Sequence, residues 1–136
     1  MDFKKADKAL QEIVKCRAEL KTIDYSNPKY DDLEEKLHQM EDDFQDKFGD
    51  DMEEILQDVH DEYCPDSEVL LSIAYLAQQY KVNGNNEYEV DYGEGVFVEV
   101  DDYPGKETRL VLVPNPLRFL LNIGKEKQEV VWKAGG

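Results

Sequence analysis

Tyr80-Lys81-Val82-Asn83-Gly84-Asn85-Asn86-Glu87-Tyr88-Glu89-Val90-Asp91-Tyr92 is the stretch across which the chain changes its pattern. Upstream of it, apolar residues recur at helical spacing in an acidic background. Downstream, they alternate as in strands, and turn residues multiply. Asn83-Gly84 supplies the left-handed residues that commonly stop a helix. Tyr88, Val90 and Tyr92 then alternate with Glu87, Glu89 and Asp91. That junction predicts an α+β fold: about four N-terminal helices, the first two a helical hairpin, packed on one face of a C-terminal five-stranded antiparallel meander sheet. Residues 1–136 read as one domain, with a helical half (1–83), a sheet half (84–134) and a flexible tail at Gly135-Gly136.

Working back from the junction, Val69, Leu70, Ile73, Leu76, Ala77 and Tyr80 suggest a fourth helix opened by Pro65-Asp66-Ser67. Met52, Ile55, Leu56 and Val59 suggest a third, starting at Asp50 with Glu53 placed for a capping box. The second carries Tyr30, Leu33, Leu37, Met40, Phe44 and Phe48, with Asn27 as N-cap, Pro28 at its first position and Gly49 as its stop. The first spans about Asp2 to Thr22, with Phe3, Ala6, Leu10, Ile13 and Leu20 on one stripe.

Working forward, Gly93-Glu94-Gly95 and Tyr103-Pro104-Gly105-Lys106 read as turns, and Val96, Val98 and Val100 as one strand face. Arg109 to Val113 is apolar on both faces, as in a central strand. Pro114-Asn115-Pro116 cannot continue a ladder and marks a reversal. Leu117, Phe119, Leu121 and Ile123 point one way, and Val130 and Trp132 share a face of the last strand.

At 136 residues, a core needs neither disulfide nor metal. The 32 acidic and 16 basic residues give a net charge of -16. Residues 1–83 hold 22 acidic and 10 basic side chains, so the acidity belongs mainly to the helices. Nucleic-acid binding requires clustered Lys and Arg, which the chain lacks, and an anionic membrane surface is disfavoured for the same reason. A basic protein partner suits the charge. With no apolar leader, no membrane-length run and only Cys16 and Cys64, the expected setting is reduced and cytoplasmic.

Chemistry-bearing patterns are sparse. Glu35-Lys36-Leu37-His38 has the Glu-x-x-His spacing of di-iron bundles, but the other histidine, His60, follows Gln57 at the matching position. Asp42, Asp43, Asp46, Asp50, Asp51, Glu53 and Glu54 crowd Gly49 without the twelve-residue loop of an EF-hand. His60 and Cys64 lie four residues apart without an evident orienting group. No catalytic residue, metal site or cofactor is therefore expected.

Two candidate surfaces remain. If the Val96/Val98/Val100 and Phe119/Leu121 side meets the helices, then Phe97, Glu99, Arg109, Arg118, Leu120 and Asn122 form the opposite face. Its mixture of Arg, aromatic and Leu resembles a partner-binding surface. Alternatively, Tyr75, Tyr80, Tyr88 and Trp132 line a pocket between sheet and helices for a small molecule or substrate. The favoured expectation is a non-catalytic protein-binding module of adaptor, inhibitor, immunity or chaperone-like kind. It would engage another protein through the sheet face or the acidic hairpin, or associate with itself.

Overall fold

A computed structural model of the chain describes residues 1–135, so Gly136 of the expected tail lies outside the described residues. Helix α1 (Phe3–Lys21) opens where the stripe and its cap agree: the Asp2 carboxylate accepts the Lys5 N–H at 3.1 Å. Helix α2 (Tyr30–Tyr63) is a single helix of 34 residues where two were expected. It runs through Gly49 because the apolar seam keeps its phase across the glycine: Leu33, Leu37, Met40, Phe44 and Phe48 continue into Met52, Leu56 and Val59. An interior glycine costs about 1 kcal/mol, whereas burying side chains such as Met52 and Leu56 contributes roughly 1.5–3 kcal/mol each.

The two helices are antiparallel. Arg17 near the end of α1 pairs with Glu41 of α2 at 2.9 Å, and the Cys16 thiol faces the Leu33 carbonyl at 3.9 Å. The longer α2 continues beyond the start of α1, and Met52, Leu56 and Val59 join the same core as Leu112, Leu117 and Phe119.

The expected fourth helix is absent. Residues Ser72–Tyr75 form one 3-10 turn, and Leu76 makes a parallel bridge to Leu112. The helical spacing of Ile73, Leu76, Ala77 and Tyr80 is overridden by tertiary packing. Leu76 enters the helix-side core, while the next residue, Ala77, enters a second apolar cluster on the opposite side of the sheet. An extended chain achieves this by alternation, and a helix cannot.

Among the described residues, six strands form two antiparallel sheets in place of the expected five-stranded meander. Strands β1 (Lys81–Val82) and β2 (Tyr88–Glu89) make a two-stranded hairpin. Strands β3 (Val96–Phe97), β4 (Thr108–Val113), β5 (Arg118–Ile123) and β6 (Lys127–Lys133) make a four-stranded meander. The Asn83 carboxamide oxygen accepts from the N–H groups of Asn85 and Glu87, and Asn86 is left-handed (φ 62°). What reads as a helix stop is thus the turn of a hairpin. Residues 77–94 then cross the far face of the sheet as a strap.

Helix-side residues Leu110, Leu112, Phe119, Leu121 and Ile123 lie in the main core with Val98 and Val100, as the alternation predicts. One expectation fails in β6. Phe119 pairs with Trp132 and Leu120 with Val130, so Val131 is an extra, bulged residue. Trp132 consequently shares the face of Phe119, while Val130 shares that of Leu120. The bulge, with Lys127, Glu129 and Lys133, also blunts this exposed edge against pairing with other strands.

Candidate functional site

The face carrying Arg109, Arg118, Leu120 and Asn122 is largely occupied by the chain's own strap. Leu120 is 5% exposed, in a cluster with Ala77, Tyr88, Val90, Val111 and Val113. Asn122 is 1% exposed, and its Nδ2 donates to the carbonyls of Asp91 (3.2 Å) and Glu94 (3.0 Å). Arg118 donates to the Tyr88 carbonyl at 2.5 Å and to that of Pro116 at 2.7 Å. Burial lowers the Arg118 pKa, opposed by the nearby Glu87, Glu89 and Asp7 carboxylates. Gln128 adds a fourth clamp, to the Val90 carbonyl at 2.8 Å. Polar side chains that suggest an interface in sequence thus satisfy backbone carbonyls of a segment with little ladder of its own. Phe97 (54% exposed) and Glu99 remain at an open corner beside Arg109. Arg109 is held by Glu107 and the Gly95 carbonyl. The six residues therefore do not form one free surface.

Tyr75, Tyr80, Tyr88 and Trp132 do not converge on one pocket either. Tyr75 is fully buried and stacks edge-on against Phe119, which meets Trp132, which meets Phe3: an aromatic relay through the core. Tyr80 and Tyr88 lie on the strap side, their centroids 5.7 Å apart. The Tyr80 hydroxyl accepts the Ala77 N–H and donates to the Leu112 carbonyl. These two rings border a cleft of about 410 Å³ against α1.

His60 and Cys64 are both buried, in a structural arrangement. His60 Nδ1 lies 3.0 Å from the Ser67 carbonyl and Nε2 lies 3.0 Å from the Tyr75 hydroxyl, which accepts the Leu70 N–H at 3.0 Å. A carbonyl can only accept, so Nδ1 carries a proton. Nε2 then accepts from the Tyr75 O–H, and every group in the network is satisfied by neutral histidine. Neither ring nitrogen is free to activate the Cys64 thiol, which burial pushes up to about 11. At neutral pH it stays protonated and a poor nucleophile. His38 and Glu35 are exposed on α2. Among the described residues, no three His, Cys, Asp or Glu side chains are placed to hold a metal ion. No described helix is long and apolar enough to cross a membrane.

The continuity of α2 creates a feature that a broken helix hides. Asp42, Asp46, Asp50, Glu54, Asp58 and Glu62 are all exposed and follow one another at four-residue intervals. On an α-helix this makes one ridge of carboxylates with about 6 Å of rise and about 40° of turn between neighbours, winding about 200° around α2 from Asp42 to Glu62. The helix holds fifteen Asp and Glu against two Lys, a net charge of -13. Among its carboxylates only Glu41 has an ion-pair partner among the described residues. Like charges four apart destabilise a helix by about 0.2–0.5 kcal/mol per pair, so the row is held in place by the seam on the opposite side.

The chain matches no family model, no curated protein and no solved structure.

The spacing of the row is present in the sequence, but it is invisible as long as Gly49 is taken for a helix end. Chemically, the row can attract and orient cationic side chains along about 30 Å of helix, five intervals of about 6 Å.

Proposed function

We propose that this protein is a non-catalytic protein-binding module that presents the winding carboxylate ridge of α2 to a basic partner. The observation that supports this reading is the row from Asp42 to Glu62: six exposed carboxylates in helical register, none neutralised within the described chain. Uncompensated self-repulsion on a rigid element suits a surface that meets opposite charge, and complementary fields raise association rates. The strap over Leu120 and Asn122 directs the proposal to the helix rather than to the sheet. The binding of a protein, as opposed to nucleic acid, follows from charge sign, since phosphate backbones repel this surface.

The test compares proteins retained from native lysate by the wild-type chain and by an Asp46→Asn/Asp50→Asn/Glu54→Gln/Asp58→Asn variant, at low and moderate salt. The variant removes charge without removing buried groups, so it should fold at least as stably. The expected result is a basic protein retained by the wild type, released by salt and missed by the variant. Retention by both chains alike, or by neither, would refute the reading.

A further inference from the structure

The cleft between the second half of α1 and the strap is lined by charge opposite in sign to the net charge of the chain. Acidic residues outnumber basic ones two to one in this chain, yet the charged side chains lining the cleft are Lys15, Arg17 and Lys21. Its apolar walls come from Val14 and Ala18 of α1 and from Tyr80, Val82 and Tyr88 of the strap. The cleft measures about 410 Å³, within the usual range of small-molecule sites, which runs from about 300 to 1,000 Å³. Because the Tyr80 hydroxyl is committed to Ala77 and Leu112, its ring is the part left to line the cleft. Val82, 59% exposed, leaves apolar surface beside it.

The cations are arranged rather than merely present. Arg17 is fixed by Glu41 at 2.9 Å, and the Lys21 ammonium is drawn to the cleft wall by the Gln78 carbonyl. Lys21 also sits in the last turn of α1, where cations are favoured. The contact between Lys15 and Glu12 is 4.0 Å long and more than half exposed on both sides, so it holds Lys15 weakly. Lys15 and Lys21 therefore keep donors for a ligand.

We propose that this cleft binds a small amphipathic carboxylate, with its apolar body against Tyr80, Tyr88 and Val14 and its head group on the lysine rim. Opposite charge at the rim selects the anion, and the aromatic and aliphatic walls take up the body by burial. An apolar body is essential, because hydrated anions gain little from exposed lysines.

Three probes separate the contributions: decanoate, decyltrimethylammonium with an equal chain and opposite charge, and tetraglutamate with charge but no apolar body. Binding is read by amide chemical-shift titration of the full chain. Decanoate should shift residues 14–21 and 77–88, and the other two probes should not. A Lys15→Glu/Lys21→Glu variant should weaken decanoate by about tenfold or more, an effect of about 1.4 kcal/mol. Lys4→Glu/Lys125→Glu, the same charge change on exposed residues away from the cleft, should leave it within about twofold. Ala18→Phe, which fills the cleft, should also abolish binding, so the result does not hang on charge reversal alone. Equal binding of the cationic probe, equal weakening by the remote variant, or no shift with decanoate would overturn the proposal. Tetraglutamate shifting the same amides as strongly would reassign the cleft to an acidic peptide.

Discussion

On the helix side of the four-stranded sheet, Leu110, Leu112, Phe119, Leu121 and Ile123 form one apolar cluster with α1 and α2. On the strap side, Val111, Val113 and Leu120 form a smaller one, and Arg118, Asn122 and Gln128 reach from the sheet to carbonyls of the strap. The first cover is held by area, which is non-directional and tolerant of small shifts. The second is held by directed hydrogen bonds to a segment with only two short strands, each bond worth about 0.5–1.5 kcal/mol net. Two covers of the same sheet should therefore differ in how they fail. Loss of the helix side should unfold the whole chain, whereas loss of the strap side should open residues 77–94 first.

The largest expected effect comes from truncating one residue on each side at neighbouring positions of β5. Phe119→Ala, at a fully buried ring between Tyr75 and Trp132, should lower the stability to denaturant by about 3–5 kcal/mol. Leu120→Ala should lie near the low end of the Leu→Ala range, about 2–3 kcal/mol, because the strap can settle into the space. Hydrogen exchange sharpens the contrast: Leu120→Ala should accelerate strap amides such as Tyr88, whose N–H is held by the Asn115 carbonyl. Amides between β4 and β5 should change only with global stability. Equal losses with uniform acceleration would mean that the two covers form one cooperative unit.

A smaller effect isolates the clamps. Asn122→Ala deletes the donors to the Asp91 and Glu94 carbonyls but also an Oδ1 that is buried without a partner. With two bonds lost and one unsatisfied acceptor removed, the net loss should be about 1–2 kcal/mol. Asn122→Asp should be worse, since it aims a carboxylate at the same two carbonyls. Exchange of residues 88–94 should rise in both variants, in that order. If Asp is tolerated as well as Ala, the bonds to those carbonyls are not what holds the strap.

Sequence patterns reveal these elements to different degrees. The first helix is legible because the stripe from Phe3 to Leu20 keeps one helical phase. The faces of β4 and β5 are legible because period-2 alternation leaves no other assignment for Leu110, Phe119 or Leu121. Two signals mislead. Gly49 carries the local signature of a helix end, while the phase of Phe48 and Met52 carries the evidence for continuity. The run from Ile73 to Tyr80 has helical spacing, but its fate depends on the short β3, which leaves the end of β4 open for Leu76. No local pattern reports that vacancy. The same missing information makes Arg118, Leu120 and Asn122 resemble a free surface, since what covers them lies thirty residues upstream. The cleft is half legible: Tyr80 and Tyr88 are among the expected pocket residues, but Lys15 and Lys21 enter only once the strap meets α1.

The smallest predicted effect acts on the helix layer alone and serves as a control for the comparison. Gly49→Ala removes the entropic penalty of an interior glycine, a gain of up to about 1 kcal/mol. The new methyl would collide with the Gln45 carboxamide, so its benefit depends on whether Gln45 can move. That obstacle is the far end of a flexible side chain, and its Oε1 is buried without a hydrogen-bond partner. Swinging outward would hydrate that oxygen, so both changes favour the variant, and a net stabilisation of about 0.5–1 kcal/mol is expected. Measured by denaturant midpoint, the gain should appear in global unfolding, while exchange through local opening of residues 77–94 stays as in the wild type. A loss of stability would mean that Gln45 is pinned and that Gly49 is required for close packing. Slower local opening of the strap would instead show that the helix layer and the strap are energetically coupled through the sheet between them.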